Sequence, residues 1–369
     1  MHMKYSNKQI TKAGETLIKD PQGEDLNAVM DVLSYWRLCH ERPLNLAWQE
    51  LQQVVLRHDK DAIFAKRLKR YASIYKKLKR IDNMTLRNMQ DIGGCRAIVG
   101  NEKKLLRCVR DLKKLEAFKT EAGRYRAKDY LKHPKDSGYR SFHLVGRFPN
   151  ERGEMRNIEI QLRTRFQHYW ATALEIVDLF TGQALKSNQG DPEWTAFFRG
   201  VSDLFAVMDD IFGFQQMPDL EKVETFAQRV HRNPDLLISC AQVQERFKTL
   251  RIGKKFEAYA NSIKVIDNQI GNSPKSGYIL LVIDTQLKQI NSQIFAKDAL
   301  SEAAVRYATF EKEAATKPDL VVALVSAASV GGIREAYPNF FADSTMFMML
   351  LHMIMEVNPN PRTWARGLP

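Results

Sequence analysis

Cysteine is scarce in this chain. Four occur in 369 residues, Cys39, Cys95, Cys108 and Cys240, and no two form a CxxC pair. That excludes a disulfide scaffold and leaves a reduced protein as the expectation. The eight histidines fall at no zinc-ligand spacing, so no structural metal is expected. Long apolar runs are missing as well. Nothing approaches the roughly 18 apolar residues that a spanning helix needs, so no membrane contact is expected. The most apolar stretch, residues 346–355, is short, contains His352 and reads as a buried helix. The polar start, MHMKYSNKQITK, has no hydrophobic signal core, and a cytoplasmic location is expected. Internal repeats and low-complexity tracts are absent too.

Acidic charge is thin in one region. The formal net charge is +13, yet residues 60–170 alone carry 29 basic and 12 acidic residues, a net of +17 that leaves the remainder at −4. A positive field so concentrated suits polyphosphate ligands, RNA or both. The apolar fraction of 44% and charged fraction of 27% are ordinary for a globular protein, and the length suffices for two cores.

Residues 1–20 read as a loosely ordered lead-in. Helical spacing predicts helices over 26–40 and 43–57, and a third over 61–81. In that third helix Leu68, Tyr71, Ala72, Tyr75 and Leu78 share one arc. Lys69, Arg70, Ser73, Lys76, Lys77 and Arg80 share the other, with Arg67 at the boundary. A solvated helix face ordinarily mixes both signs. A one-sign face around a single serine points to phosphate. Asp91 then precedes Gly93, Gly94 and an apolar strand over 95–99. A carboxylate at the start of a strand can hold a metal near a phosphate; the plainer reading is a turn aspartate.

Residues 126–164 carry the densest chemistry. A loop bearing Arg126, Lys128, Lys132, Lys135 and Arg140 bends at Pro134 and Gly138 and includes Tyr139. A short strand over 118–125 leads into it. Strands over 139–148 and 157–164 follow, joined by a polar turn. In the second strand Ile158, Ile160 and Leu162 alternate with Glu159, Gln161 and Arg163, the pattern of a half-buried strand. Thr164 is placed to cap a helix over 165–180, in which Trp170 reads as core. Composition changes after Met217-Pro218. Helices over 218–230 and 234–268, strands near 278–284 and 288–294, a helix over 296–316, a β-rich run over 319–327 and a helix over 344–357 complete the chain. The expected fold is α+β: a mixed β-sheet flanked by helices over 1–217, then a smaller C-terminal α+β domain over 218–369.

Four separated motifs resemble one family, the alarmone-synthetase domain of RelA/SpoT homologues. Arg67-x-Lys69-x3-Ser73-x3-Lys77 resembles its basic ATP-binding helix. Asp91-Ile92-Gly93-Gly94-Cys95-Arg96 is similar to its metal-aspartate motif. Asp129-Tyr130, Pro134-Lys135 and Gly138-Tyr139-Arg140-Ser141-x-His143 resemble its acceptor loop, and Glu159-Ile160-Gln161-Leu162-Arg163-Thr164 its catalytic strand. The likeness covers about residues 45–215. It implies a nucleotidyltransferase-like fold and transfer of the β,γ-pyrophosphate of ATP to the 3′-hydroxyl of GDP or GTP, making (p)ppGpp. It implies ATP contacts from Arg67, Lys69, Ser73, Lys77 and Arg126. Asp91 and Glu159 would hold Mg²⁺, with Glu159 also the general base. Lys135, Tyr139, His143 and Gln161 would hold the acceptor nucleotide. Three departures stand out: Gly93-Gly94 for the usual Ala-Gly, Ser137 where the loop often has Asn, and an atypical helix after Thr164. The alternatives are a toxin of the same family acting on the tRNA 3′ end or an adenine nucleotide in phage defence, and a degenerate sensor or RNA-binding module. The C-terminal unit, which carries no cluster of catalytic type, is expected to regulate the enzyme or engage a protein partner. Oligomeric state is not legible.

Overall fold

Strand β5, Met155–Thr164, buries Ile158, Ile160 and Leu162 almost completely while Glu159 and Gln161 stay partly accessible. This is the alternation read from the sequence. The computed structural model describes residues 5–120, 122–181, 190–253, 256, 278–284, 289–296, 298–317, 320–326 and 345–358. β5 lies at the centre of a five-stranded sheet with β1 (Ile63–Leu68), β2 (Gly93–Val99), β3 (Arg126–Asp129) and β4 (Phe142–Pro149), in the order β1-β2-β5-β4-β3. β2 and β5 run parallel and the other pairs antiparallel, so the sheet is mixed as expected.

One face of this sheet is dry. Helices α3 (Glu41–Val55) and α5 (Glu102–Leu112) cover it through Leu51, Val54, Leu105 and Leu112, packed on Cys95, Ala97, Leu144 and Ile160. Asn101 starts α5 by accepting the Lys104 N–H on its side chain. Gly93 is required by this packing, since a Cβ there would stand 2.7 Å from Ile158 Cδ1. The other face carries Arg67, Arg96, Lys128, His143, Glu159 and Gln161.

Several sequence expectations need correction. The lead-in contains helix α1 (Asn7–Leu17), started by a reciprocal Ser6–Gln9 capping box and packed through Ile10, Ala13 and Leu17 near α2 (Gly23–Leu38). The single helix expected over 61–81 is instead strand β1 followed by helix α4, Tyr71–Arg80. β1 pairs along its whole length with β2, which outweighs the helical spacing of its residues. Over 118–125 the backbone forms a 3-10 turn at Glu116–Phe118 and one isolated bridge, Lys119 to Tyr125. A turn with Gly123 at φ +68 interrupts it, and the strand begins at Arg126.

Beyond residue 217 the chain does two things. Strands β6 (Tyr278–Asp284), β7 (Gln289–Phe295) and β8 (Leu320–Ser326) form an antiparallel sheet packed against helix Leu300–Thr316. Helix Thr345–Glu356 instead joins α6 (Arg165–Thr181), α7 (Pro192–Asp210), α8 (Asp219–His231) and α9 (Pro234–Thr249) in one apolar core. Phe198, Phe205, Phe226, Cys240, Phe347 and Leu351 all belong to it. The boundary expected at 217 therefore falls inside a core, because the apolar faces of α6 and α7 are covered by helices from later in the chain. The helix expected to reach 268 is described to Thr249, and residues 257–268 lie outside the described residues. No described helix is long and apolar enough to cross a membrane.

Candidate active site

Strand parity assembles the polar face. Arg67 pairs with Gly94, Gly94 with Glu159, Arg96 with Gln161, Gln161 with His143, and His143 with Lys128. Residues directly opposite in register project to the same side. Four motifs far apart in sequence thus meet on one surface. Over that surface lies a cleft of about 460 Å³, within the range of small-ligand sites.

Arg67, Lys69, Ser73, Lys77, Asp91, Lys135, Tyr139, His143, Glu159 and Gln161 all line this cleft. Arg126 does not line it. It stands on edge strand β3 opposite Val145, where burial and the nearby Arg147 lower its guanidinium pKa. Lys128, two residues on, lines the cleft in its place. Arg70, Lys76 and Arg80, read from the sequence as part of the phosphate-facing arc, line it too, as do Arg96, Tyr130 and Arg163, which stand in the quoted motifs without an assigned contact, and Trp170, which was read as core. The signal for Arg96 and Arg163 was the strand alternation, which sets both on the polar face.

Asp91 sits between two lysines. Lys69 Nζ donates to one of its oxygens and Lys77 Nζ to the other, each at 2.9 Å. Burial raises the Asp91 carboxyl, but the two ammonium groups outweigh it and hold it below the usual range. Burial in turn lowers Lys69, against the pull of Asp91. The break between β1 and α4 produces this geometry. Lys69 leaves the strand end, with its backbone N–H on the Ile92 carbonyl at 2.7 Å, and Lys77 enters from the helix.

Glu159 heads a chain of polar contacts in the same cleft. His143 Nδ1 lies 3.1 Å from its Oε1, and Gln161 Nε2 donates to its Oε2 at 2.7 Å. Burial raises Glu159, but the His143 contact, Gln161 and the Lys77 charge bring it down to about 2. His143 is raised: burial lowers it, and Tyr139 and Glu159 more than compensate. The chain continues from His143 Nε2 to the Tyr139 hydroxyl at 2.8 Å, which also accepts from Arg163 Nη2 at 2.8 Å. Burial raises the Tyr139 phenol, while Arg163 and His143 pull it well below its ordinary value. Lys135 Nζ stands 4.9 Å from the centres of both the Tyr130 and Tyr139 rings.

The cleft therefore offers a group of cations, two ionised carboxylates, and an aromatic ring under a lysine. Polyphosphate neutralisation, deprotonation of a hydroxyl and stacking of a base are what such groups do.

Residues 66–176 match the family model described as the region found in RelA / SpoT proteins. Two Bacillus subtilis (strain 168) proteins are similar to the chain. GTP pyrophosphokinase YwaC is 34% identical over 114 residues, covering 29% of this chain and 52% of that protein. GTP pyrophosphokinase YjbM is 33% identical over 111 residues, covering 29% and 51%. The chain spans about half the length of these curated relatives. Among solved structures, small alarmone synthetase 1 from Bacillus subtilis bound to its product pppGpp is 23% identical, with a TM-score of 0.41, covering 48% of this chain and 93% of that one.

Proposed function

We propose that this chain, a member of the RelA/SpoT family through residues 66–176, moves the β,γ-pyrophosphate of ATP onto the ribose 3′-hydroxyl of GDP or GTP. One observation supports this above the others: a single cleft joins a cationic arm, two ionised carboxylates and an aromatic, basic loop. Arg67, Lys69, Ser73 and Lys77 hold the triphosphate of ATP. Lys69 and Lys77 exchange Asp91 for phosphate oxygens as the nucleotide enters. Lys128 serves the edge that sequence reasoning gave to Arg126. The acceptor base stacks on Tyr139 once Lys135 swings from the ring to the acceptor phosphates.

In the transfer the 3′-oxygen bonds to the β-phosphorus, the bridge between the α- and β-phosphates breaks, and AMP leaves with the bonding electrons. Glu159 takes the hydroxyl proton, oriented by His143 and Gln161. A carboxyl at about 2 is a weak base in the free cleft. The negative charge of bound polyphosphate raises it toward a useful value.

Among the described residues no cluster of three or more His, Cys, Asp or Glu is set to hold a metal. Asp91 and Glu159 are two carboxylates in one cleft, and Mg²⁺ is held by one or two carboxylates together with substrate phosphates. The donor set fits: these two residues would hold the ion, which when bound neutralises charge on the transferring group.

Incubation with γ-labelled ATP and, in parallel, GDP, GTP, unlabelled ATP or tRNA tests the reading. Label in GDP or GTP with stoichiometric AMP is expected. Label confined to tRNA or to ATP would assign the acceptor to the toxin alternative, and label in none would reject pyrophosphate transfer.

A further inference from the structure

The loop carrying Lys135 and Tyr139 rests on α7, an element outside the residues the family model matches. Its backbone lies very close to that helix. Gly138 has φ +88, and a Cβ there would stand 3.0 Å from both the Arg199 Cα and the Ser202 Cβ. Ser202 is buried, and its Oγ donates to the Gly138 carbonyl at 2.5 Å while accepting from Arg140 Nε at 3.3 Å. Arg140 extends the tie. It donates from Nη2 to Asp203 Oδ1 at 2.8 Å and from Nη1 to the Leu131 carbonyl at 3.4 Å.

Tyr139 is the residue between these two anchors. Its ring centre lies 6.4 Å from that of Trp170, whose Nε1 donates to the Phe198 carbonyl of α7 at 2.7 Å. Backbone and ring of Tyr139 are thus both referenced to one helix. The ATP end of the cleft rests on β1 and α4 and is touched by none of these ties.

We propose that Ser202 and Asp203 of α7 are positioning residues for the acceptor nucleotide, fixing Gly138 and Arg140 so that Tyr139 stands where the acceptor base stacks. The proposal rests on the reading of this loop as the acceptor side. Each tie acts on the acceptor through the loop, so its loss weakens acceptor binding and leaves ATP binding alone. A merely structural role would shift both KM values together.

The test is steady-state transfer by the full chain with ATP and either GDP or GTP, comparing Ser202→Ala and Asp203→Ala with the unaltered protein. Loss of one hydrogen bond should raise the acceptor KM about fivefold, with kcat and the ATP KM changed less than about twofold. Asp203→Asn, which keeps an oxygen to accept from Arg140, recovers most of the loss. Asp203 is 44% exposed, so its variants fold even where Ser202→Ala does not. An unmoved acceptor KM in the folded variants, or an equal rise in the ATP KM, would overturn the proposal. Unaltered protein that labels neither GDP nor GTP would instead reject the functional reading on which it stands.

Discussion

Glu159 and Asp91 are both ionised carboxylates about four-fifths buried in one cleft, yet their company separates their roles. Asp91 is bracketed by two ammonium groups that phosphate can capture. Glu159 is held by a histidine and an amide, which orient it without occupying it with a full lysine charge. Replacing Glu159 by Gln keeps the shape and removes the carboxylate proposed to accept the proton. Transfer from labelled ATP should fall by at least about 10²-fold, while ATP affinity by equilibrium titration changes little. Unchanged transfer would mean that Glu159 is not the base. Much of this was legible in the sequence. The alternation over 158–163 fixes which side chains share a face, and Arg67, Asp91, Tyr139 and Glu159, drawn from four separate motifs, line one cleft. The contact of Arg163 with Tyr139 was not legible, because 24 residues separate them and only the return of β5 beside β4 brings them together. Arg126 shows the converse, a residue expected to contact ATP that starts β3 outside the cleft lining.

At the scale of elements, the junction of β1 and α4 decides how the cationic end is built. Residues 68–78 satisfy helical spacing, and β1 is an edge strand with no clean alternation of burial, so local pattern alone favoured one long helix. Pairing to β2 is non-local and left no mark in the residues of β1 themselves. The start of α4 is then sealed from a distant part of the chain. Glu311, 2% exposed, accepts the Tyr71 N–H at 3.1 Å and the Tyr307 hydroxyl at 2.9 Å. That N–H is one of the donors a helix start leaves without an internal partner. The Arg37 guanidinium lies 4.2 Å from the Tyr71 ring centre. Burial lowers the Arg37 pKa, but Tyr307, Tyr71 and Glu311 outweigh it and hold the group protonated. Glu311→Ala leaves the Tyr71 amide without its acceptor and removes one of the groups that favour the Arg37 cation. It should cost about 2–3 kcal/mol of stability, measured by chemical denaturation. A loss below about 0.5 kcal/mol would show that the carboxylate does not secure this junction.

At the scale of the molecule, 11 of the 29 basic residues of 60–170 line the cleft, and there Lys69 and Lys77 meet a carboxylate while Lys135 and Arg163 meet rings. Such a molecule also pays attention to its neutral bases. His40, 1% exposed, holds its Nδ1 2.8 Å from the Trp36 carbonyl, and burial pushes its pKa down to about 4. His168, 7% exposed, falls to about 3 through burial and the charges of Arg96 and Arg163. Both stay neutral in the fold and protonate in the unfolded chain near pH 6.5. Below that pH the unfolded state binds more protons, so stability declines as pH falls from 6.5 toward 4. His143 has the opposite sign. Its pKa is raised, so its contribution is complete below pH 6.5 and fades only as pH climbs through the raised value. The paired carboxylates Asp91 and Glu159 lose their contribution only as pH falls below about 5, at the acid edge of this window. Each neutral histidine therefore lowers stability as pH falls from 6.5 to 5, while Asp209, whose carboxyl burial raises to about 7, takes up its proton in the fold and works the other way. Across that range the denaturation midpoint of His40→Gln with His168→Gln should lose less on acidification than that of the unaltered chain. Equal slopes would place the acid sensitivity elsewhere.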